Sequence, residues 1–367
     1  MVQPRNESSC WDELSASNRS EAVHVGCGAE EDGRPGPEAV IVPVVFGLIF
    51  VVGVLGNSLV MVVIGKVRYS SGAGGGGRGG GRRSGSPTNV FILNLSVADL
   101  SFLIFCVPFQ ATIYSLPDWV FGDFICKFGH YFSTVTMLVS IFTLVAMSVD
   151  RYIAVVHSKK SPCVRSRRNA LVGVCVIWTL SLLCSVPVAQ HQALVSHPFA
   201  PNCTFCWEKW SGTSKHTYRV TILLIGYLLP LLLIICCYSG VLFHLHKKMK
   251  NMSKKSEHSK RKTAQTILLV VAAFAVCWAP HHIIAMWVEF GSFPLNDTTF
   301  VFRIVSHCLS YGNSCVNPVL YAFLSENFRK ACRQVFTCHS MYSPPSHGKV
   351  VRFRMETFST THSTTNI

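Results

Sequence analysis

Asp99 is the only charged residue between Thr88 and Pro117. A carboxylate in so apolar a run is costly, about 2.5–3.5 kcal/mol at the centre of a membrane helix, and therefore needs a role or a partner. Comparable runs carry Asn57, Ser140, Asn313, Ser314 and Asn317. If these converge on Asp99, the cluster is either a cation site or conformational switch, or a satisfied polar network that joins helices. Other residues suggest motion. Asp150-Arg151-Tyr152 closes one apolar run, and Phe274 and Cys277-Trp278-Ala279-Pro280 place an indole beside a helix-kinking proline. Asn317-Pro318 with Tyr321 sets a second proline among amide and phenol partners, and Pro187 and Pro230 add more. Several kinked helices in one bundle suit hinge-like rearrangement. Hydrolase and nucleotide motifs are missing: there is no Walker loop, no G-x-S-x-G and no H-E-x-x-H. Adjacent His281 and His282 have the wrong spacing to hold zinc on one helical face. The chain reads as a non-enzyme.

The elements that position these residues follow from composition. The 367-residue chain is 49% hydrophobic and only 14% charged, against about a quarter charged in a soluble domain. Seven runs are long enough to cross a bilayer as helices. Flanking charges enclose the first between Glu38 and Lys66, the third between Lys127 and Asp150, and the fifth between Arg219 and Lys247. The sixth lies between Lys262 and Glu289 and the seventh between Arg303 and Glu326. The second extends from about Thr88 to Pro117, and the fourth from Arg168 to about Ala189. Continuous rather than alternating apolarity excludes a barrel. The expected fold is an all-α seven-helix membrane bundle over 39–324. A polar N-terminal tail (1–38) precedes it, and an amphipathic juxtamembrane helix (325–338) and a cytoplasmic tail (339–367) follow.

Charge sets the predicted orientation. With the N-terminus outside, the inner segments hold 25 Lys and Arg against four acids, and the outer ones 8 against 13. The net charge of +15 is therefore a topology signal, and the basic residues lie in too many separate loops for a nucleic-acid surface. They suit anionic inner-leaflet lipid. No cleaved signal is expected at the polar N-terminus, so the first span would serve as the insertion signal. Asn6 and Asn18 head glycosylation sequons on the outer side, as do Asn202 and Asn296. The glycine-rich segment 70–84 reads as a tolerated loop insertion, and the hydroxyl-rich tail suits phosphorylation. After the seventh span, Phe328, Ala331, Cys332, Val335 and Phe336 share one helical face, with Arg329, Lys330 and Arg333 opposite. Cys332 and Cys338 are either palmitoylation sites or plain thiols. One buried acid and no internal repeat argue against a transporter.

Gly56-Asn57, Leu95-Ser96-Val97-Ala98-Asp99, Asp150-Arg151-Tyr152, Trp178, Pro230, Cys277-Trp278-Ala279-Pro280 and Asn317-Pro318-Val319-Leu320-Tyr321, one set per helix and in order, resemble the signature of the rhodopsin-like G-protein-coupled receptors. The resemblance implies a sodium ion held by Asp99, Ser140 and Asn313. It implies that Arg151, released from Asp150, joins Tyr238 and Tyr321 on activation, and that Ile141, Phe274 and Pro230 repack beneath the ligand. Lys260 stands where some members carry an acid that pairs with Arg151, so that lock is expected to be missing or weaker. Ser133 replaces the aspartate of amine receptors, and Tyr311 replaces the retinal lysine of opsins.

Local strings at 45–50, 54–59, 108–112, 126–128, 205–208, 246–248, 251–256, 280–284 and 325–330 resemble the galanin receptors, closest to their type 1 branch. That resemblance implies a plasma-membrane receptor for the peptide galanin, coupled to an inhibitory G protein that lowers cyclic AMP, with receptor kinases and arrestin as further partners. His282, Glu289, Phe300 and Trp278 would line the pocket, with His130, Trp207 and Arg303 near its rim. Ala285 and Ser133 depart from the pattern in the pocket wall. The family pairs the cysteine atop the third span with one in the second outer loop. This implies Cys126 with Cys206, while Cys203 is a close competitor and Cys10 with Cys27 a second candidate pair.

Overall fold

The computed structural model describes residues 38–73, 87–116, 119–158, 161–197, 200–210, 212–248, 254–294, 296–324, 328–329 and 332–333. The sequons at Asn6 and Asn18, the Cys10–Cys27 pair, most of the glycine-rich segment, Cys338 and the tail lie outside them, as do the side chains of Cys203 and Lys260.

The chain is a bundle of long helices: α1 (Glu38–Ala73), α2 (Pro87–Ser115), α3 (Gly122–Val156), the four-residue α4 (Ser161–Val164) and α5 (Arg167–His191). After a hairpin come α6 (Thr213–Leu223), a π turn (Leu224–Leu228), α7 (Leu229–Lys248), α8 (Lys254–Phe290) and α9 (Asp297–Leu324). The segments α6, π turn and α7 form one continuous rod. Six rods are long and apolar enough to cross a membrane. The seventh, α9, has 28 residues but gives much of its surface to Ser306, Ser310, Asn313, Ser314 and Asn317, all buried. Its polarity faces inward, where Asn317 donates to Asp99 of α2 and the Ser314 carbonyl accepts from Asn57 of α1.

The helices overrun the expected span edges. The third starts at Gly122 and continues to Val156, six residues beyond Asp150. The sixth begins at Lys254 rather than near Lys262. Charge marks where the membrane ends; a helix continues into water as long as its backbone bonds and end contacts hold. Ser166 caps α5 by accepting from the Asn169 backbone N–H at 3.1 Å. The π turn has a local cause. A proline ring clashes with the carbonyl four residues earlier, here from Pro230 to Gly226. The wider turn moves that carbonyl aside, and the Leu229 N–H bonds to the Leu224 carbonyl instead.

The all-α expectation misses one element. Gln192–His197 (β1) pairs antiparallel with Ala200–Glu208 (β2), with Leu194 opposite Cys206. The hairpin is fastened at three points. Cys206 is disulfide-bonded to Cys126 at the top of α3. The Trp119 N–H donates to the Thr204 carbonyl at 2.8 Å, and the Lys209 N–H to the His191 carbonyl at 2.8 Å. The expected Cys126–Cys206 pair is thus formed.

Inside, one apolar cluster fills the inner and middle bundle around Leu138, Ile141, Ile234, Phe274 and Tyr321. Another packs the outer half around Phe46, Phe102, Phe109 and Tyr311. Amides cross-link the helices. Asn57 donates to the Gly53 and Ser314 carbonyls, both at 2.9 Å. Asn94 donates to Thr143 at 2.8 Å and accepts from the Trp178 indole at 2.8 Å. At Gly56 the backbones of α1 and α9 approach so closely that an added Cβ would sit 2.8 Å from Pro318. Only glycine permits that contact.

Candidate functional site

The polar and aromatic residues gather at three depths. The outermost group is built on α8, where Pro280 precedes His281 and His282. His282 is 5% exposed. Its ring lies 4.8 Å from Tyr227, 5.5 Å from His281 and 6.4 Å from Trp278. Trp278 is buried in turn, 6.0 Å from Phe274. Among the described residues, His282 Nε2 and Trp278 Nε1 have no hydrogen-bond partner. Two unpaired polar atoms in a buried aromatic wall are the kind of groups a ligand would satisfy.

The other expected pocket residues distribute unevenly. His130 lies edge-on to Phe109 at 5.9 Å. Glu289 does not point freely into the mouth: its side chain is 4% exposed and sits 2.6 Å from His216 and 3.5 Å from Lys215, bridging α8 to α6. Trp207 is half exposed on β2, and its ring meets Phe205 at 5.8 Å rather than the His282 group. Phe300 is half buried near the start of α9, and Arg303 is exposed. The structure therefore brings His282 and Trp278 together and leaves Trp207 and Arg303 on the periphery.

It also adds residues the sequence did not single out. Tyr114 and Gln110 of α2 reach His307 Nδ1 of α9 at 2.8 and 3.4 Å. An amide nitrogen only donates, so Nδ1 accepts. Tyr311 donates to Gln110 Oε1 at 3.0 Å. Tyr227 completes the set by donating to the Ala275 carbonyl at 2.8 Å. A lone polar residue in each of several apolar runs was the available signal, and it is a weak one.

One layer deeper, Asp99 is 1% exposed and accepts from the Asn317 amide at 2.8 Å. Asp99, Ser140, Asn313, Ser314, Thr136, Phe102, Met137 and Trp278 line a cavity of about 10 Å³. Of the residues expected to converge, those of α3 and α9 meet Asp99, whereas Asn57 bonds the Gly53 and Ser314 carbonyls and does not line the cavity; Trp278 forms its roof toward the histidines. A carboxylate, hydroxyls and an amide around a space of this size make an oxygen-rich cage of the kind a small hard cation takes. The Asn317 bond ties α9 to α2, so the helix-joining reading of Asp99 is the one this contact shows directly.

At the inner end, Asp150 and Arg151 are buried. The Asp150 Oδ2 accepts from Arg151 at 2.5 Å and from Thr88 at 2.7 Å. Arg165, just past α4, seats its fork on both oxygens: Nε donates to Oδ1 at 2.6 Å and Nη2 to Oδ2 at 3.1 Å. The sequence reading missed Thr88 and Arg165. Tyr152 packs on α7, where a Cβ at Gly240 would meet its ring at 2.7 Å. Tyr238 and Tyr321 are buried nearby in the inner cluster, and the Tyr321 ring stands 6.3 Å from Phe328. Phe328 and Arg329 are helical, as are Cys332 and Arg333. Phe328 turns into the core while Arg329 is exposed and donates to the Phe323 carbonyl at 2.8 Å. That is the amphipathic pattern expected after the seventh span. Arg151 is thus paired with Asp150 in this structure.

Comparisons with known proteins agree. Residues 80–321 match the family described as 7 transmembrane receptor (rhodopsin family). The chain is 59% identical to galanin receptor type 1 of Homo sapiens over 313 residues, covering 83% of this chain and 86% of that protein. It is 54% identical to galanin receptor type 1 of Rattus norvegicus over 359 residues, covering 96% and 99%. It is 41% identical to galanin receptor 2b of Danio rerio over 315 residues, covering 84% and 78%. Six apolar spans, a polar seventh helix, a buried Asp99 cage and the Asp150–Arg151 pair are what such a receptor requires, and the chain is a multi-pass membrane protein of the rhodopsin family, a receptor and not an enzyme, within its galanin receptor group and similar to type 1.

Proposed function

We propose that this chain is a plasma-membrane receptor for galanin, with its N-terminus outside, that activates an inhibitory heterotrimeric G protein and so lowers cyclic AMP. The observation that carries the reading is the 54–59% identity, over most of the chain, to proteins named galanin receptor type 1. The geometry supports it. The outer half offers a histidine and aromatic wall with unpaired nitrogens at His282 and Trp278, and the inner half holds a buried arginine on a carboxylate. The two ends share α3 and α8, so one rearrangement serves both.

Peptide and G protein each bind one arrangement of the bundle better than the other, and by linkage each strengthens the other's binding. Peptide at His282 would press on Trp278, which roofs the Asp99 cage and touches Phe274. Phe274, Ile141 and Pro230 would then repack. At the inner end Arg151 would leave Asp150 for Tyr238 and Tyr321, while Tyr152, Asn317 and Pro318 guide the shift of α9. In the resting state Asp99, Ser140 and Asn313 would hold a sodium ion, which supplies a counter-charge to Asp99. Phe300, His130, Trp207 and Arg303 would form the rim of the peptide site. Glu289 would act there while bridging α6 and α8. Palmitate on Cys332 and Cys338, glycans on Asn6 and Asn18, and recognition of the tail by kinases and arrestin complete the reading.

The test is cyclic AMP in cells that display the chain, titrated with galanin, with nucleotide exchange on a purified inhibitory heterotrimer run in parallel. A saturable fall with matching exchange is expected. Surface display without either response would overturn the reading. A response confined to other peptides would remove galanin and keep the receptor; Ala285 and Ser133 are where such a difference would arise.

A further inference from the structure

We infer that Arg165 is a positioning residue for activation: seated on both oxygens of Asp150, it keeps that carboxylate paired when Arg151 leaves it. The inference rests on the proposed release of Arg151 toward the G protein. Asp150 is 6% exposed at its side chain, Arg151 6% and Arg165 10%. Three charged groups thus share a small volume screened from water. A buried carboxylate that loses its last cation is strongly disfavoured, because desolvation is no longer compensated. With Arg165 in place the departure of Arg151 does not create that state. Oδ1 keeps the Arg165 Nε bond at 2.6 Å, and Oδ2 keeps Arg165 Nη2 at 3.1 Å and Thr88 at 2.7 Å.

A second effect has the same sign. Two guanidinium groups crowd one carboxylate, and like charges repel most where water is scarce. Arg165 therefore weakens the hold of Asp150 on Arg151. The loop makes this seat reproducible. The Arg165 N–H donates to the Ser161 carbonyl at 2.9 Å, and its Nη1 lies 3.5 Å from the Ser161 hydroxyl. The single turn α4 thus aims the side chain at Asp150. Lysine is no equivalent, since an ammonium cannot seat both oxygens as a fork.

The experiment measures galanin concentration–response for G-protein activation, normalised to receptor at the surface. It uses the full chain, Arg165→Ala, Arg165→Lys, Asp150→Asn, and each Arg165 change in the Asp150→Asn background. Arg165→Ala is expected to raise the half-maximal galanin concentration about tenfold or more, the scale of a lost charge-assisted bond, and to lower basal activity. Arg165→Lys falls between. In the Asp150→Asn background both changes lose their effect, because a neutral amide needs no cation. A left shift or a rise in basal activity would overturn the inference, since Arg165 would then restrain the receptor. An equal right shift in both backgrounds would also overturn it, by showing that Arg165 acts through loop shape or by touching the G protein. If Arg165→Ala fails to reach the surface, Arg165→Lys compared in the two backgrounds decides the same question. A displayed wild type silent to galanin overturns the proposed function and this inference with it, whereas a responsive wild type with an unshifted Arg165→Ala sinks the inference alone.

Discussion

Replacing His282 separates the shape of the outer pocket from its hydrogen bonding. His282→Phe keeps a planar aromatic ring, slightly larger, against Tyr227 at 4.8 Å and Trp278 at 6.4 Å and deletes the ring nitrogens. Among the described residues Nε2 has no hydrogen-bond partner, so the unliganded bundle loses no bond at that atom, and thermal stability of the purified receptor should change little. The bound peptide does lose. A polar ligand group left without its buried partner is disfavoured by about 1–3 kcal/mol. At 1.4 kcal/mol per decade, galanin affinity should therefore fall by about 5- to 150-fold. His282→Ala also removes ring packing, about 0.5–1.5 kcal/mol per aromatic pair. It should bind more weakly still and melt at a lower temperature. The assay is competition binding of labelled galanin on membranes, with surface display and melting temperature measured on the same samples. If His282→Phe binds as tightly as the parent, Nε2 does not meet the peptide and the reasoning fails.

Asp99→Asn should abolish the fall in agonist affinity that sodium is expected to produce, a coupling of about 5- to 150-fold in a typical allosteric pair; agonist binding across a sodium titration, with potassium as the ionic-strength control, reads it. Gly56→Val should lower surface expression and melting temperature, because the new side chain meets Pro318, and a smaller loss for Gly56→Ala would confirm the steric cause. Thr143→Ala should destabilise the receptor by about 1 kcal/mol without altering peptide selectivity, since the Thr143 hydroxyl accepts from Asn94 and donates to the Val139 carbonyl, both away from the outer pocket; a changed rank order among peptides would contradict that.

The spans, the Asp99 convergence and the Cys126–Cys206 link were legible because each leaves a strong one-dimensional mark: a long apolar run, an acid inside one, or a cysteine at a family position. Arg165 was not legible as a partner of Asp150. It lies among Arg167 and Arg168, and a cluster of basic residues at a helix start reads first as a topology signal. Its role depends on one turn of helix that redirects the chain, which no periodicity reports. The β-hairpin escaped because two short strands, anchored to α3 by the Cys126–Cys206 disulfide, need little apolar alternation. Gln110, Tyr114 and His307 were invisible as a unit: each is an isolated polar residue, and only packing of α2 against α9 makes them neighbours. Glu289 shows the opposite limit. Its place at the mouth was expected, and its engagement with Lys215 and His216 was not, since both partners lie on another helix.

The bridge through Asn94 also bears on how the bundle is assembled. Helix α5 exposes most of its surface, with only 17% of its apolar window buried inside the protein, so sideways packing hardly fixes how deep it sits. In hydrocarbon one leucine ridge slides past another with little penalty, because lipid tails solvate both equally well. A directional bond is different. The Trp178 indole meets the amide of Asn94 at 2.8 Å, and that amide is itself held by Thr143 of α3. A slip of one residue along the membrane normal, 1.5 Å, would break the contact. Asn94, which belongs to neither α5 nor α3, thus acts as a depth gauge for the fourth span at its middle, while the Tyr131 and Tyr218 hydroxyls, donating to the Leu182 and Cys184 carbonyls, fix it nearer its outer end.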